Sequence, residues 1–156
     1  MKTAVIYYSF GGNCTLIAEH IKTILNADLF EIKIADDKKR AGFANFLHGM
    51  ALMFKKPEPL PLSVDISAYD LIILGAPVWG GSPASPIVSF LNTTKINGKN
   101  TAYFCSHAGN KGKTFEKFRA LLSGNVIAGE IDFKKPAEQE SESLKEKIAE
   151  WVKSFC

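Results

Sequence analysis

The sequence predicts an α/β fold: a five-stranded parallel sheet, doubly wound with helices on both faces as a three-layer α/β/α arrangement, in one domain spanning residues 1–156. Three observations lead there. Short β-branched or aromatic runs alternate with segments of helical period along the whole chain. One run, Leu71–Gly75, is apolar throughout, as suits a central parallel strand covered on both sides. The first, third and fourth strands each run into a small-residue, glycine-rich loop, and sheets of this kind bind ligands outside the carboxyl ends of their strands.

Thr3–Tyr8 (TAVIYY) reads as the first, buried strand, and Cys14–Asn26 follows as a helix with Ile17, Ile21, Ile24 and Leu25 at helical spacing. Asp28–Lys33 (DLFEIK) is the second, half-buried strand. Ala41–Phe54 (AGFANFLHGMALMF) predicts a helix with Phe43, Phe46, Leu47, Met50 and Phe54 on one side, flanked by Lys38, Lys39, Arg40, Lys55 and Lys56. A core-covering helix is the plain reading of that stretch, and a partner-docking or membrane-surface helix is the sharper one. The proline-rich 55–62 stretch reads as a surface connection. After the third strand a helix spans Ala84–Asn92, with Pro83 and Pro86 tolerated in its first turn. Thr101–Cys105 (TAYFC) is the fourth strand, Thr114–Leu122 the helix behind it, and Asn125–Phe133 the fifth strand. The last helix covers Glu138–Phe155, with Leu144, Ile148, Trp151, Val152 and Phe155 on one face.

Composition narrows the function classes. Hydrophobic residues make up 46% and charged residues 22%, which excludes disordered and collagen-like chains. A net charge of +3 is too small to imply nucleic acid. The N-terminal apolar run is too short for a signal peptide, and nothing approaches the ~20 apolar residues of a membrane span, so the expected location is cytoplasmic. Cys14, Cys105 and Cys156 are odd in number and far apart, which points to neither a disulfide framework nor a metal site. His20 reads as a solvated or interhelix residue and His48 has no ligand partner at metal spacing.

The three loops carry the chemistry. Ser9-Phe10-Gly11-Gly12-Asn13-Cys14-Thr15 leads from the first strand into a helix; its glycines, hydroxyls and helix N-terminus suit an anion, and a tight turn capped by Asn13 is the bland alternative. Cys14 reads as loop packing or, at a helix N-terminus, as a thiol of lowered pKa. Gly75-Ala76-Pro77-Val78-Trp79-Gly80-Gly81 follows the third strand: an aromatic between small residues, either covered by a flat ligand or folded back on the core. Ser106-His107-Ala108-Gly109 follows the fourth strand, with Lys111, Gly112, Lys113 and Thr114 beyond. Gly112-Lys113-Thr114 imitates a nucleoside-triphosphate loop, but the first glycine of that motif would fall on His107. The dinucleotide GxGxxG is absent as well. Aspartyl-phosphate signalling needs acids where Ser9-Phe10 and Gly75-Ala76 stand, and is rejected.

Together these loops resemble the flavodoxin-like family in its short-chain, FMN-binding form, over essentially the whole chain. Ser9-Phe10-Gly11-Gly12-Asn13-Cys14 is similar to the family's phosphate loop, (S/T)-x-T-G-x-T, with Gly11 and Cys14 in place of threonines. Gly75–Gly81 with Pro86-Ile87 and Phe90-Leu91 resembles its second flavin loop, and Phe104-Cys105-Ser106 with Gly109 its third. The resemblance implies noncovalent FMN, with Ser9 to Thr15 at the phosphate and Ala76, Pro77, Val78, Trp79, Gly80 and Gly81 around the isoalloxazine. Trp79 would stack, and Ser106, His107, Ala108 and Gly109 would face the pyrimidine edge.

Charge adds one expectation. Residues 71–115 contain four lysines (Lys95, Lys99, Lys111, Lys113) and no acid. Electron-carrier flavodoxins resemble one another in a strongly acidic rim, which these loops lack; a less negative potential and a site open to anionic or electron-poor substrates are expected. Small size, a single domain and an open flavin edge favour electron transfer through noncovalent FMN, and the acid-free rim and the missing second aromatic favour the alternative, an FMN-dependent NAD(P)H reductase of quinones or nitro compounds. The partner is correspondingly a redox protein, or NAD(P)H plus a small electron acceptor, and a dimer is left open. The resemblance also allows residues 41–54 to form a hydrophobic wall beside the flavin.

Overall fold

Residue alternation along β1 (Thr3–Tyr7) sorts its side chains to two sides, as a strand covered on both faces must. In the computed structural model, which describes residues 1–35, 42–55 and 57–156 and gives positions 42 and 46 by backbone only, β1 is buried end to end. The elements that follow are α1 (Asn13–Leu25), β2 (Asp28–Glu31), α2 (Gly42–Lys55), β3 (Leu71–Trp79), β4 (Ser82–Pro83), α3 (Ser85–Thr93), β5 (Asn100–His107), α4 (Thr114–Leu121), β6 (Val126–Lys134) and α5 (Ser141–Lys153). Strand order is β2-β1-β3-β5-β6, all parallel, so the five expected strands are present and the fourth and fifth are β5 and β6. The order reverses between β1 and β3, the switch point where such sheets open a crevice.

Two cores flank the sheet. On one face Ile6, Tyr8, Ile72, Leu74 and Tyr103 meet Ile87, Phe90 and Leu91 of α3 and Phe115 and Phe118 of α4. On the other Val5, Tyr7, Ile73, Phe104 and Phe133 meet Ile17, Ala18 and Ile21 of α1 and Leu144, Ile148, Trp151 and Val152 of α5. Phe104 and Gly75 are register partners, and a Cβ at Gly75 would fall 2.1 Å from Phe104 Cζ.

Four expectations are corrected. β3 does not stop at Gly75 but runs to Trp79 and returns through β4, with Val78 opposite Pro83 and Trp79 opposite Ser82. The two-residue turn Gly80-Gly81 has φ 56° and 75°, the positive-φ pair that closes a tight hairpin, so Gly-Gly between two extended runs was the available signal. Pro83 accordingly belongs to a strand rather than to the first turn of α3, where Pro86 sits. The final helix begins at Ser141, because Pro136–Glu138 forms a separate 3-10 turn after Lys135, at φ 45°.

The fourth concerns α2. His48, Gly49 and Leu52 face inward, whereas Phe43, Leu47, Met50 and Phe54 are 41–81% exposed. The cause is local: a Cβ at Gly49 would lie 3.0 Å from the Phe10 ring, so the helix turns its slimmest side to the loop beneath it. Ala41, the basic flank 38–40 and Lys56 lie outside the described residues.

Gly75→Ala is expected to lower stability by about 1–3 kcal/mol, the usual cost of overpacking, in urea unfolding followed by circular dichroism. Val126→Ala, on a side chain 64% exposed, should stay within about 0.5 kcal/mol. Equal effects would remove the packing argument.

Candidate functional site

At the carboxyl edge of the sheet, three loops and the turn after β6 enclose a cleft of about 320 Å³. Phe10, Gly11 and Asn13 come from the first loop, Pro77, Val78 and Trp79 from the end of β3, and Ser106, His107 and Ala108 from the end of β5. These nine expected residues share one cleft, and Lys135, Ala137 and Glu138 join them.

The other expected residues lie around it. Ser9 is buried at the head of β1, and its Oγ accepts a hydrogen bond from the Thr15 amide at 3.3 Å, folding the first loop over itself. Gly12 is the N-cap of α1 at φ 86°, with no capping side chain and no acid in the first turn. The cap is therefore not Asn13, whose Oδ1 instead accepts from the Ala137 amide at 3.3 Å. Ser9 takes the Thr15 amide, and the N–H groups of Asn13 and Cys14 at the helix start are the ones suited to an anion. Cys14 turns away from that anion position: it is buried, with Sγ 3.2 Å from Ser106 Oγ. Burial pushes its thiol up to about 12, against the lowering by Ser106, so the reading as an activated thiol is withdrawn. Ala76 is buried within β3, Gly80 and Gly81 form the hairpin turn, and Gly109 lines a neighbouring hollow of about 410 Å³.

Aromatic rings build one wall. Trp79 meets Tyr8 edge-on at 5.6 Å and Phe10 edge-on at 6.0 Å, and Phe10 lies 6.0 Å from His48. Beyond Trp79 a second cleft, about 460 Å³, is lined by Met53 and Phe54 of α2, by Val88 and Ser89 of α3, and by Lys117. The hairpin and the third loop are joined through backbone: the Lys113 amide donates to the Gly81 carbonyl at 2.7 Å, and a Cβ at Gly112 would fall 2.5 Å from Gly81 Cα. That latch leaves no room for a side chain at Gly112.

The charge pattern differs from the segment count. Lys99 Nζ bonds the Ser67 and Tyr69 carbonyls, at the amino edge of the sheet, away from the cleft. The rim has acids after all, delivered by β6 and its following turn. Asp132 takes the His107 Nε2 hydrogen bond at 2.8 Å and lies 3.6 Å from Lys111 Nζ; Lys135 pairs with Glu138 at 2.9 Å. Burial raises the Asp132 carboxyl, but His107, Lys111 and Lys147 outweigh it and hold it below its ordinary range. The rim is balanced rather than basic. Sequence reading missed Asp132, Lys135, Ala137 and Glu138; the signal was topological, since a fifth parallel strand ends on the same edge as the other four.

The Flavodoxin family model matches residues 2–155. The chain belongs to the flavodoxin family. Among solved structures it is similar to a flavoprotein from Lactobacillus acidophilus NCFM in complex with FMN, at 26% identity, 97% of this chain and 98% of that one, with TM-score 0.71. It is also similar in fold to oxidised flavodoxin 2 from Bacillus cereus (24% identity, 99% and 97% covered, TM-score 0.64). The fold is shared too with an NADPH-quinone reductase from P. pentosaceus (13%, 100% and 98%, TM-score 0.63). Comparison with curated protein sequences gives no match. The residues of the cleft fit a flavin phosphate: an uncapped helix start and Lys135 for the anion, an aromatic wall and the small Ser106–Ala108 segment for a flat ring system. Among the described residues no helix is long and apolar enough to cross a membrane, and no metal-binding cluster occurs.

Thiol titration checks this description. With a chromogenic disulfide at pH 8, exposed Cys156 should react at once in the folded protein, and Cys14 and Cys105 only after denaturation. Burial leaves Cys14 and Cys105 as neutral thiols shut away from the reagent at that pH, and Cys156 is the exposed one. A second fast thiol would overturn the assignment.

Proposed function

We propose that this chain holds FMN noncovalently in the 320 Å³ cleft and transfers electrons through it to and from a partner protein. The observation that carries the reading is the convergence of an uncapped helix N-terminus, a Trp79 wall and the Ser106–Ala108 backbone on one cleft at the switch point. The phosphate would lie over Gly11 and Asn13, the ring system against Trp79, and its polar edge beside His107. FMN supplies one- and two-electron chemistry when bound; the chain supplies binding, orientation and the electrostatics of the rim. Membership of the flavodoxin family and the FMN complex of the Lactobacillus relative support this assignment. The unpaired cysteines suit a reducing compartment, in keeping with a cytoplasmic location.

A second reading has its own observation. The 460 Å³ cleft on the far side of Trp79, with Met53, Phe54 and Val88 for an apolar acceptor and Lys117 for an anionic group, offers room for a second reactant. Together with a balanced rim it favours an FMN-dependent NAD(P)H reductase of quinones or nitro compounds.

Reconstitution decides between them. The protein mixed with FMN should turn yellow with quenched flavin fluorescence, and Trp79→Ala should weaken that binding by roughly tenfold, the worth of one aromatic stacking contact. No binding by the unaltered chain would sink the proposal. The carrier reading expects no NAD(P)H oxidation with a quinone acceptor, and reduction only by an added flavoprotein reductase. Steady turnover by the protein alone would establish the second reading instead.

A further inference from the structure

His107 combines three properties that the binding site does not require for shape alone. Its side chain is 6% exposed, its Nε2 lies 2.8 Å from Asp132 Oδ2, and its Nδ1 is buried with no hydrogen-bonding partner among the described residues. An ionised carboxylate only accepts, so Nε2 carries the hydrogen and Nδ1 presents a bare lone pair in the neutral ring. A buried polar atom left unmatched destabilises the fold, and a ligand group that pairs with it relieves it. Protonation turns Nδ1 into a donor without disturbing the Nε2 bond, and the Asp132 carboxylate next to it stabilises the resulting cation.

We propose that His107 and Asp132 form a proton-holding pair at the polar edge of the flavin, in which His107 Nδ1 takes up a proton from solvent when the bound ligand is reduced. The inference rests on the FMN reading above. Negative charge arriving on the ligand beside His107 favours the imidazolium, and by reciprocity the imidazolium favours the reduced ligand. The balance is two electrons from an external reductant, one proton to the flavin and one further proton to Nδ1, with Nε2–H remaining on Asp132.

The groups around the pair are accounted for. Asp132, from β6, is also approached by Lys111 at 3.6 Å and receives a hydrogen bond on its backbone carbonyl from Lys147 of α5 at 2.9 Å. Lys135 and Glu138, paired with each other, line the cleft from the turn after β6. From α2, His48 reaches the other side of the cleft at Phe10. Cys14 and Cys105, beneath the third loop, are buried thiols raised by burial and remain neutral between pH 6 and 8. His107 is thus the group whose charge change sits against a carboxylate inside the cleft wall.

The test is the midpoint potential of the FMN-loaded protein between pH 6 and 8, with electrons supplied by an electrode and proton uptake followed with an indicator dye. The unaltered chain is expected to bind close to two protons per two electrons over part of that range, doubling the slope of potential against pH. His107→Gln, which keeps an amide donor and acceptor but cannot titrate, should fall to one proton; Asp132→Asn, which removes the stabilising charge, should do the same. A purely structural role would weaken FMN binding in both variants and leave the slope unchanged, which overturns the proposal. So does a one-proton slope in the unaltered chain, a result needing no variant to fold. An unaltered chain that binds FMN with that slope retains the FMN reading and loses this one, whereas a chain that binds no FMN loses both.

Discussion

The ring of Phe104 occupies the space that any side chain at Gly75 would need, and the site is built on that one contact. Tyr7, Gly75 and Phe104 stand at one level across β1, β3 and β5 through their strand register. Because Gly75 yields its space, Phe104 closes the core at that level, and β3 and β5 stay paired for two more residues, to Pro77 and Ser106. One residue higher Ala76 stands opposite Cys105, both buried, and the cleft lining begins at the next pair, Pro77 and Ser106. A side chain at Gly75 would have to displace the Phe104 ring.

Long-period information was legible in the sequence. The five strands and the helices between them follow from apolar periodicity, and the three loops converge because parallel connectivity sends their strands to one edge. What escaped was set by contacts between distant residues. The apolar stripe of α2 reads as a core face, but Gly49 against Phe10 decides which side turns inward, and neither residue's periodicity reports the other. The hairpin of β3 and β4 was hidden because a two-residue strand, Ser82–Pro83, is too short to show a period of its own. Lys99 and Lys111 share an acid-free stretch of sequence yet serve opposite edges of the sheet.

The electrostatics of the rim follow from the same topology. β5 and β6 run side by side, with His107 opposite Lys134 and Cys105 opposite Asp132, so a carboxylate two positions back on the neighbouring strand reaches the imidazole. An acid-free third loop therefore coexists with an acid at the site. His107, Lys111 and Lys147 address the same aspartate and hold its carboxyl below the ordinary range while it is partly buried.

The latch between Gly81 and Lys113 fixes the hairpin to the third loop through main-chain atoms. A ligand entering between such tethered loops has less conformational entropy to remove from them than from two free ones, so more of its contact energy remains as affinity. Since the tether needs only a carbonyl, an amide and the lack of a side chain at Gly112, the surrounding side chains can change without loosening it. The departures at Gly11 and Cys14 become intelligible in that light: the shape of the crevice is written in its backbone, and its side chains are free to set chemistry.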